Sequence, residues 1–131
     1  AQGEHFKELV VRSNELIHNY VEEFNGRNNG TKLYEQDLFK KLDDVIENPG
    51  KYFLTNTSNN CYSGNFIEQF ASRNLCAQPE SYLFWDEIHP STTFHCQASE
   101  DVAQLIYNKF DVKNGDNLDY AHCVSSEMRR K

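Results

Sequence analysis

Tyr82-Leu83-Phe84-Trp85-Asp86-Glu87-Ile88-His89-Pro90 sets an acid three residues before a histidine, behind an aromatic run and ahead of a proline. A proline confines the residue before it to extended backbone, so His89 is held there and one tight turn can present both side chains together. In acyl transfer a serine needs an imidazole to take its proton. The imidazole in turn needs a carboxylate on its other nitrogen, to fix the tautomer and stabilise the imidazolium. Asp86 and His89 are the candidates for those two roles, and Phe84 and Trp85 are expected to be buried, anchoring the turn on the core and lowering the local dielectric. A bare Asp-x-x-His arises easily by accident in a chain with five histidines, where it is a surface turn. The full string is far more specific.

Downstream of this stretch, Ser91 or Thr92 can cap a helix presenting Ala98, Val102, Leu105, Ile106 and Phe110, closed by the polar run 114–117. Residues 111–131 then read as an extension with no helix or strand of its own. Upstream, residues 51–81 are rich in Asn and Ser, hold two cysteines, and show little period beyond a short helix at Phe66–Phe70. They read as a long ordered loop that needs a staple or a function. Before it, Asp37 can cap a helix with the face Leu38, Leu42, Val45 and Ile46, ended by Asn48-Pro49-Gly50. Thr31–Gln36 alternates apolar with polar side chains and is the one clear strand. At the start, Phe6, Leu9, Val10, Ile17, Tyr20, Val21 and Phe24 recur at helical spacing, which predicts an amphipathic helix over residues 4–24 that packs on a core. A lone strand cannot satisfy its own backbone, so the expectation is an incomplete α/β fold, mostly helical within this chain.

The 131 residues suffice for one domain, and 38% apolar with 13% aromatic content supports a real core. Twenty acids against thirteen bases give a formal charge of -7, which argues against nucleic acid and anionic membranes as partners. The basic triplet Arg129-Arg130-Lys131 reads as a solvated tail. No stretch approaches the roughly 20 apolar residues of a membrane span, and Ala1–His5 lacks the signature of a signal peptide, so a soluble chain, cytosolic or already processed, is expected. Cys61, Cys76, Cys96 and Cys123 form no CxxC pair or zinc-ribbon spacing, which favours disulfides and a secreted protein. Sequons at Asn29 and Asn56 would permit glycans on a eukaryotic secretory route but decide nothing by themselves.

The string Phe84–Pro90, read FWDEIHP and followed by Ser91-Thr92-Thr93, resembles the last block of GDSL/SGNH lipases and esterases, FWDxxHP with Thr-rich sequence after it. The resemblance extends upstream. Those enzymes follow a long helix with a short strand, a helix ending in Asn-Pro, and a cysteine-containing loop, and Phe39 to Pro49, Cys61 and Cys76 sit in that order. It covers residues 4–110 and is similar above all to bacterial secreted lysophospholipase, phospholipase A and glycerophospholipid acyltransferase relatives. It implies that residues 1–110 are the C-terminal part of a three-layer α/β/α hydrolase, with 111–131 an extension. It also implies a Ser-His-Asp mechanism in which Asp86 and His89 are catalytic and neither cofactor nor metal is needed. His95, His89, Asp86 and Cys96 match no common zinc spacing.

The family's Gly-Asp-Ser, glycine and Gly-x-Asn-Asp blocks precede the histidine, and no counterpart occurs in this sequence. Gly115-Asp116-Asn117 has asparagine where serine is required, and Ser63-Gly64-Asn65 lacks the aspartate. The expected partners are therefore an N-terminal half of the same enzyme carrying the serine, and a lipid or other ester substrate. Cys61 and Cys76 enclose a loop whose closure chain entropy values at roughly 3 kcal/mol. Cys96 with Cys123 would tie the last helix to the tail, a link to the other half being the alternative. Two competing functions are a non-catalytic module binding a partner or lipid, and an acetyl-polysaccharide esterase on the same fold. A binding module gains nothing from keeping both Asp86 and His89.

Overall fold

The computed structural model describes residues 2–27, 30–64, 72–110 and 120–124. The chain is mixed α/β and mostly helical, consistent with part of an α/β/α hydrolase fold, and its internal contacts divide it into two compact units, Ala1–Lys41 and Leu42–Lys131.

In the first unit, helix α1 (Gln2–Gly26) runs two residues past its predicted end, to the glycine. An extended arm then doubles back along it. The Asn25 amide donates to the Leu33 carbonyl at 3.0 Å and accepts from the Leu33 N–H at 2.9 Å; His18 pairs with Glu35, and Asn14 donates to Asp37 at 3.3 Å. Thr31–Gln36 was expected as the one clear strand. It is not one: among the described residues it pairs with no strand, and Leu33 bonds the Asn25 side chain of α1 instead. Of the apolar residues of α1, Phe6 is 70% exposed, and Leu9, Leu16, Ile17 and Tyr20 are exposed as well.

Helix α2 (Leu38–Glu47) spans the boundary between the units. Asp37 caps it, its carboxylate accepting from Lys40 N–H at 2.9 Å and its carbonyl from Lys41 N–H at 3.1 Å. Of its predicted face, Val45 is fully buried and Leu42 packs on the core, while Leu38 and Ile46 stay exposed. Pro49–Tyr52 follows as a 3₁₀ turn, and the Asp44 carboxylate gathers Asn48, Lys51 and the Tyr52 hydroxyl.

Residues 51–81, expected as a loop, hold three of the four strands among the described residues. β1 (Asn56–Asn60) pairs in parallel with β4 (Tyr82–Phe84), and β2 (Tyr62–Ser63) pairs antiparallel with β3 (Asn74–Leu75). β1 reads Asn-Thr-Ser-Asn-Asn, without apolar alternation, so only its pairing makes it a strand. The candidate helix at Phe66–Phe70 lies outside the described residues. Helix α3 (Thr92–Phe110) is capped by Ser91, whose hydroxyl accepts from the Phe94 N–H at 3.3 Å. It buries Thr93, Phe94 and Gln97, whereas Val102, Ile106 and Phe110 of the predicted face are exposed.

The core of this unit joins Val45, Tyr52, Leu54, Leu83, Phe94 and Tyr120. Tyr120, in the tail, joins this core: its ring packs 5.0 Å from that of Tyr52, and its hydroxyl bonds Asp101. Ala121–Val124 then makes a 3₁₀ turn where no helix was expected, and carries Cys123 to a disulfide with Cys96 on α3.

Candidate active site

β4 positions the candidate site. Leu83, at its centre, is fully buried in the core and anchors the strand from which the turn leaves. Phe84 and Trp85 are half-buried rather than buried. Phe84 packs on the core, and the Trp85 ring stacks on Tyr62 with centroids 5.7 Å apart and planes 10° from parallel. The chain then reverses within five residues. Trp85 N–H donates to the His89 carbonyl at 2.9 Å, Ser91 N–H donates to Leu83 at 2.8 Å, and Phe84 bridges Pro90.

This turn docks on the edge formed by β1 and β2. Cys61 N–H donates to the Phe84 carbonyl at 3.0 Å, and Tyr62 N–H to that of Trp85 at 2.6 Å. The same edge is tied to β3 by the disulfide Cys61–Cys76 and by Cys76 N–H on the Cys61 carbonyl at 2.8 Å. Gly64 completes the rim. A Cβ there would lie 2.9 Å from the Ser72 carbonyl oxygen and from the Tyr62 hydroxyl, so only glycine fits.

Within the turn Asp86 is 8% exposed, and its Oδ1 accepts the N–H groups of His89 at 2.7 Å and Ile88 at 2.8 Å. The His89 Nδ1 lies 2.8 Å from Oδ2 and 3.0 Å from Oδ1. These donors, the His89 backbone N–H first, hold the Asp86 carboxyl down at about 2 from an ordinary 3.8. The group is therefore anionic across the physiological range. It also fixes which nitrogen of the ring is available: Nδ1 faces the carboxylate as donor, and among the described residues no group bonds Nε2. The His89 side chain is 68% exposed and lines an open groove of about 220 Å³ with Asn60, Tyr62, Ser63, Gly64, Asp86, Glu87 and Ile88.

The sequence analysis missed Asn60, Tyr62, Ser63 and Gly64 as walls of this groove. The available signal was Cys61, which lies among them and whose N–H donates to the Phe84 carbonyl at the turn. Ser63 shares the groove with His89, but no hydrogen bond joins them, and no triad is closed within the described residues.

Comparison with known proteins agrees on one family. A GDSL esterase/lipase of Arabidopsis thaliana is 29% identical over 99 residues, covering 72% of this chain and 28% of the relative. A second from the same plant is 32% identical over 85 residues, covering 62% and 22%. These matches support a GDSL esterase/lipase assignment at the level of the family. The plant's GDSL esterase/lipase EXL4 adds 27% identity over 120 residues, covering 82% and 32%. The chain thus spans less than a third of the length of these GDSL relatives. All three are plant proteins, so the expected likeness to bacterial phospholipases finds no support from them. No family model and no solved structure matches.

Two other clusters have different explanations. Cys96, His122 and Cys123 come close enough to hold a metal, but both sulfurs are spent in the disulfide. His18 and Glu35 form a second imidazole–carboxylate pair, beside a groove of about 330 Å³ in the first unit. That pair ties the arm to α1, and among the described residues its carboxylate has no backbone donors fixing it as those of Asp86 do.

Proposed function

We propose that Asp86 and His89 are the acid and base of a Ser-His-Asp ester hydrolase acting on lipids, with the serine supplied by a portion of the enzyme outside these 131 residues. The observation that carries this reading is the immobilised Asp86 carboxylate, bound on one side by two backbone N–H groups and on the other by His89 Nδ1. The serine hydroxyl attacks the ester carbonyl as Nε2 takes its proton, and Asp86 stabilises the resulting imidazolium. Nε2 then returns that proton to the departing alcohol oxygen, leaving an acyl-serine. In the second half water replaces the serine as nucleophile, its proton passing through His89 back to the serine as the acid is released.

If an alcohol rather than water accepts the acyl group, the same residues perform acyl transfer, so lysophospholipase, phospholipase A and acyltransferase are the finer readings. Secretion belongs to the same proposal and is supported by the two disulfides, since such bonds persist in oxidising compartments. The test is turnover of p-nitrophenyl butyrate by the complete protein containing this chain. His89→Ala is expected to abolish it, and a wild-type rate in that variant would refute the assignment.

A further inference from the structure

Ile88 is a residue that proton transfer does not need. It is 80% exposed, and its backbone N–H is pinned by Asp86 Oδ1 at 2.8 Å, so the side chain is offered to the groove beside His89 from a fixed base. Isolated apolar side chains are ordinary on protein surfaces. This one is singled out by its place in the backbone, between the two members of the Asp–His pair.

The reading of His89 as general acid, on which this inference rests, says which part of an ester passes closest. The alcohol oxygen must come within hydrogen-bond reach of Nε2 to receive the proton, so the atoms attached to that oxygen pass over the residues flanking the ring. The acyl chain is held from the carbonyl carbon and stays on the serine after the alcohol has left. Charge narrows the class further. Among the described residues the lining of the groove includes the acidic residues Asp86 and Glu87 and no lysine or arginine, so a phosphate on the alcohol would meet like charge.

We infer that Ile88 is a specificity-determining residue that contacts the alcohol portion of the ester, and that with Glu87 it favours neutral, apolar alcohols over phosphate-bearing ones. This narrows the proposed function toward neutral esters and away from lysophospholipids.

The experiment measures kcat/KM of the complete enzyme on two series: butyrate esters of methanol, butanol and hexanol, and methyl esters of butyric, hexanoic and octanoic acids. Ile88→Ser is expected to lower the hexyl-to-methyl ratio in the alcohol series about five- to tenfold while the acyl-series ratio holds, and Ile88→Leu should keep both. Monobutyrin should be hydrolysed faster than its phosphate ester, with Glu87→Gln narrowing the gap. An unchanged alcohol ratio in Ile88→Ser, an equal fall in both series, or equal rates on monobutyrin and its phosphate would overturn the inference. If Ile88→Ser does not fold, Ile88→Thr provides the same comparison. His89→Ala, run alongside, separates the two levels: loss of all turnover there with unmoved Ile88 ratios rejects only the specificity claim.

Discussion

Replacing Asp86 by asparagine removes a charge and keeps the shape, and the consequence can be followed atom by atom. Two backbone N–H groups, from His89 at 2.7 Å and Ile88 at 2.8 Å, require an acceptor at the Oδ1 position. The asparagine carbonyl must therefore sit there, which places its NH₂ where Oδ2 now stands, 2.8 Å from His89 Nδ1. Two donors cannot share that contact, and the one other acceptor near Nδ1, the carbonyl oxygen at 3.0 Å, already takes two backbone N–H groups, so the tautomer with its proton on Nε2 and a lone pair on Nδ1 is favoured. That imidazole cannot take a proton from serine at Nε2. The expected loss in kcat is on the order of 10³–10⁴-fold, about 4–5.5 kcal/mol of transition-state stabilisation, with KM little changed. The assay is steady-state hydrolysis of p-nitrophenyl butyrate by the complete enzyme, with circular dichroism to show that Asp86→Asn folds. A folded variant losing less than tenfold would refute the reasoning.

Three further outcomes follow from the same region. The Asp86 carboxyl lies at about 2 when folded, below its ordinary 3.8, so its contribution to stability is complete above the ordinary value and lost as pH falls from about 4 toward 2; fluorescence of Trp85, the single tryptophan, should report the turn loosening over that window, and loosening between pH 7 and 5 instead would contradict it. Cys61→Ser with Cys76→Ser should cost roughly 3 kcal/mol in denaturant unfolding and lower turnover well below the melt, since the pair holds the edge on which the turn docks; two free thiols in a peptide map of the native protein would disprove that account. Gly64→Ala should destabilise by about 1–3 kcal/mol, because its Cβ would sit 2.9 Å from backbone and ring-hydroxyl oxygens, and an unchanged melting temperature would show that the rim can yield.

The turn was the most legible part of the sequence because its geometry is local. A carboxylate three residues before a histidine can reach that residue's backbone and ring from one reverse turn, and proline after it removes the alternatives. The helices were legible too, with Asp37 and the Asn48-Pro49 stop read correctly and Ser91 one of two caps considered for α3, since caps act within one turn of chain. Strands were not, because a strand is defined by a partner. Thr31–Gln36 has the alternation of a strand and lies along a helix, while polar Asn56–Asn60 has no such pattern and pairs with Tyr82–Phe84. The face of α3 was misjudged for a related reason. Gln97 is fully buried because its amide donates to the Tyr52 carbonyl at 2.7 Å, a bond to a residue 45 positions away that no helical periodicity encodes.

The central claim is that His89 activates a serine lying outside this sequence, and a fluorophosphonate probe reads that most directly, since it reacts covalently with a serine only when a base has activated it. Labelling the complete protein and mapping the adduct by mass spectrometry should find it on a serine outside residues 1–131, and His89→Ala should abolish it. An adduct on a serine of this chain, such as Ser63 in the same groove, or labelling at the wild-type rate in His89→Ala, would contradict the account.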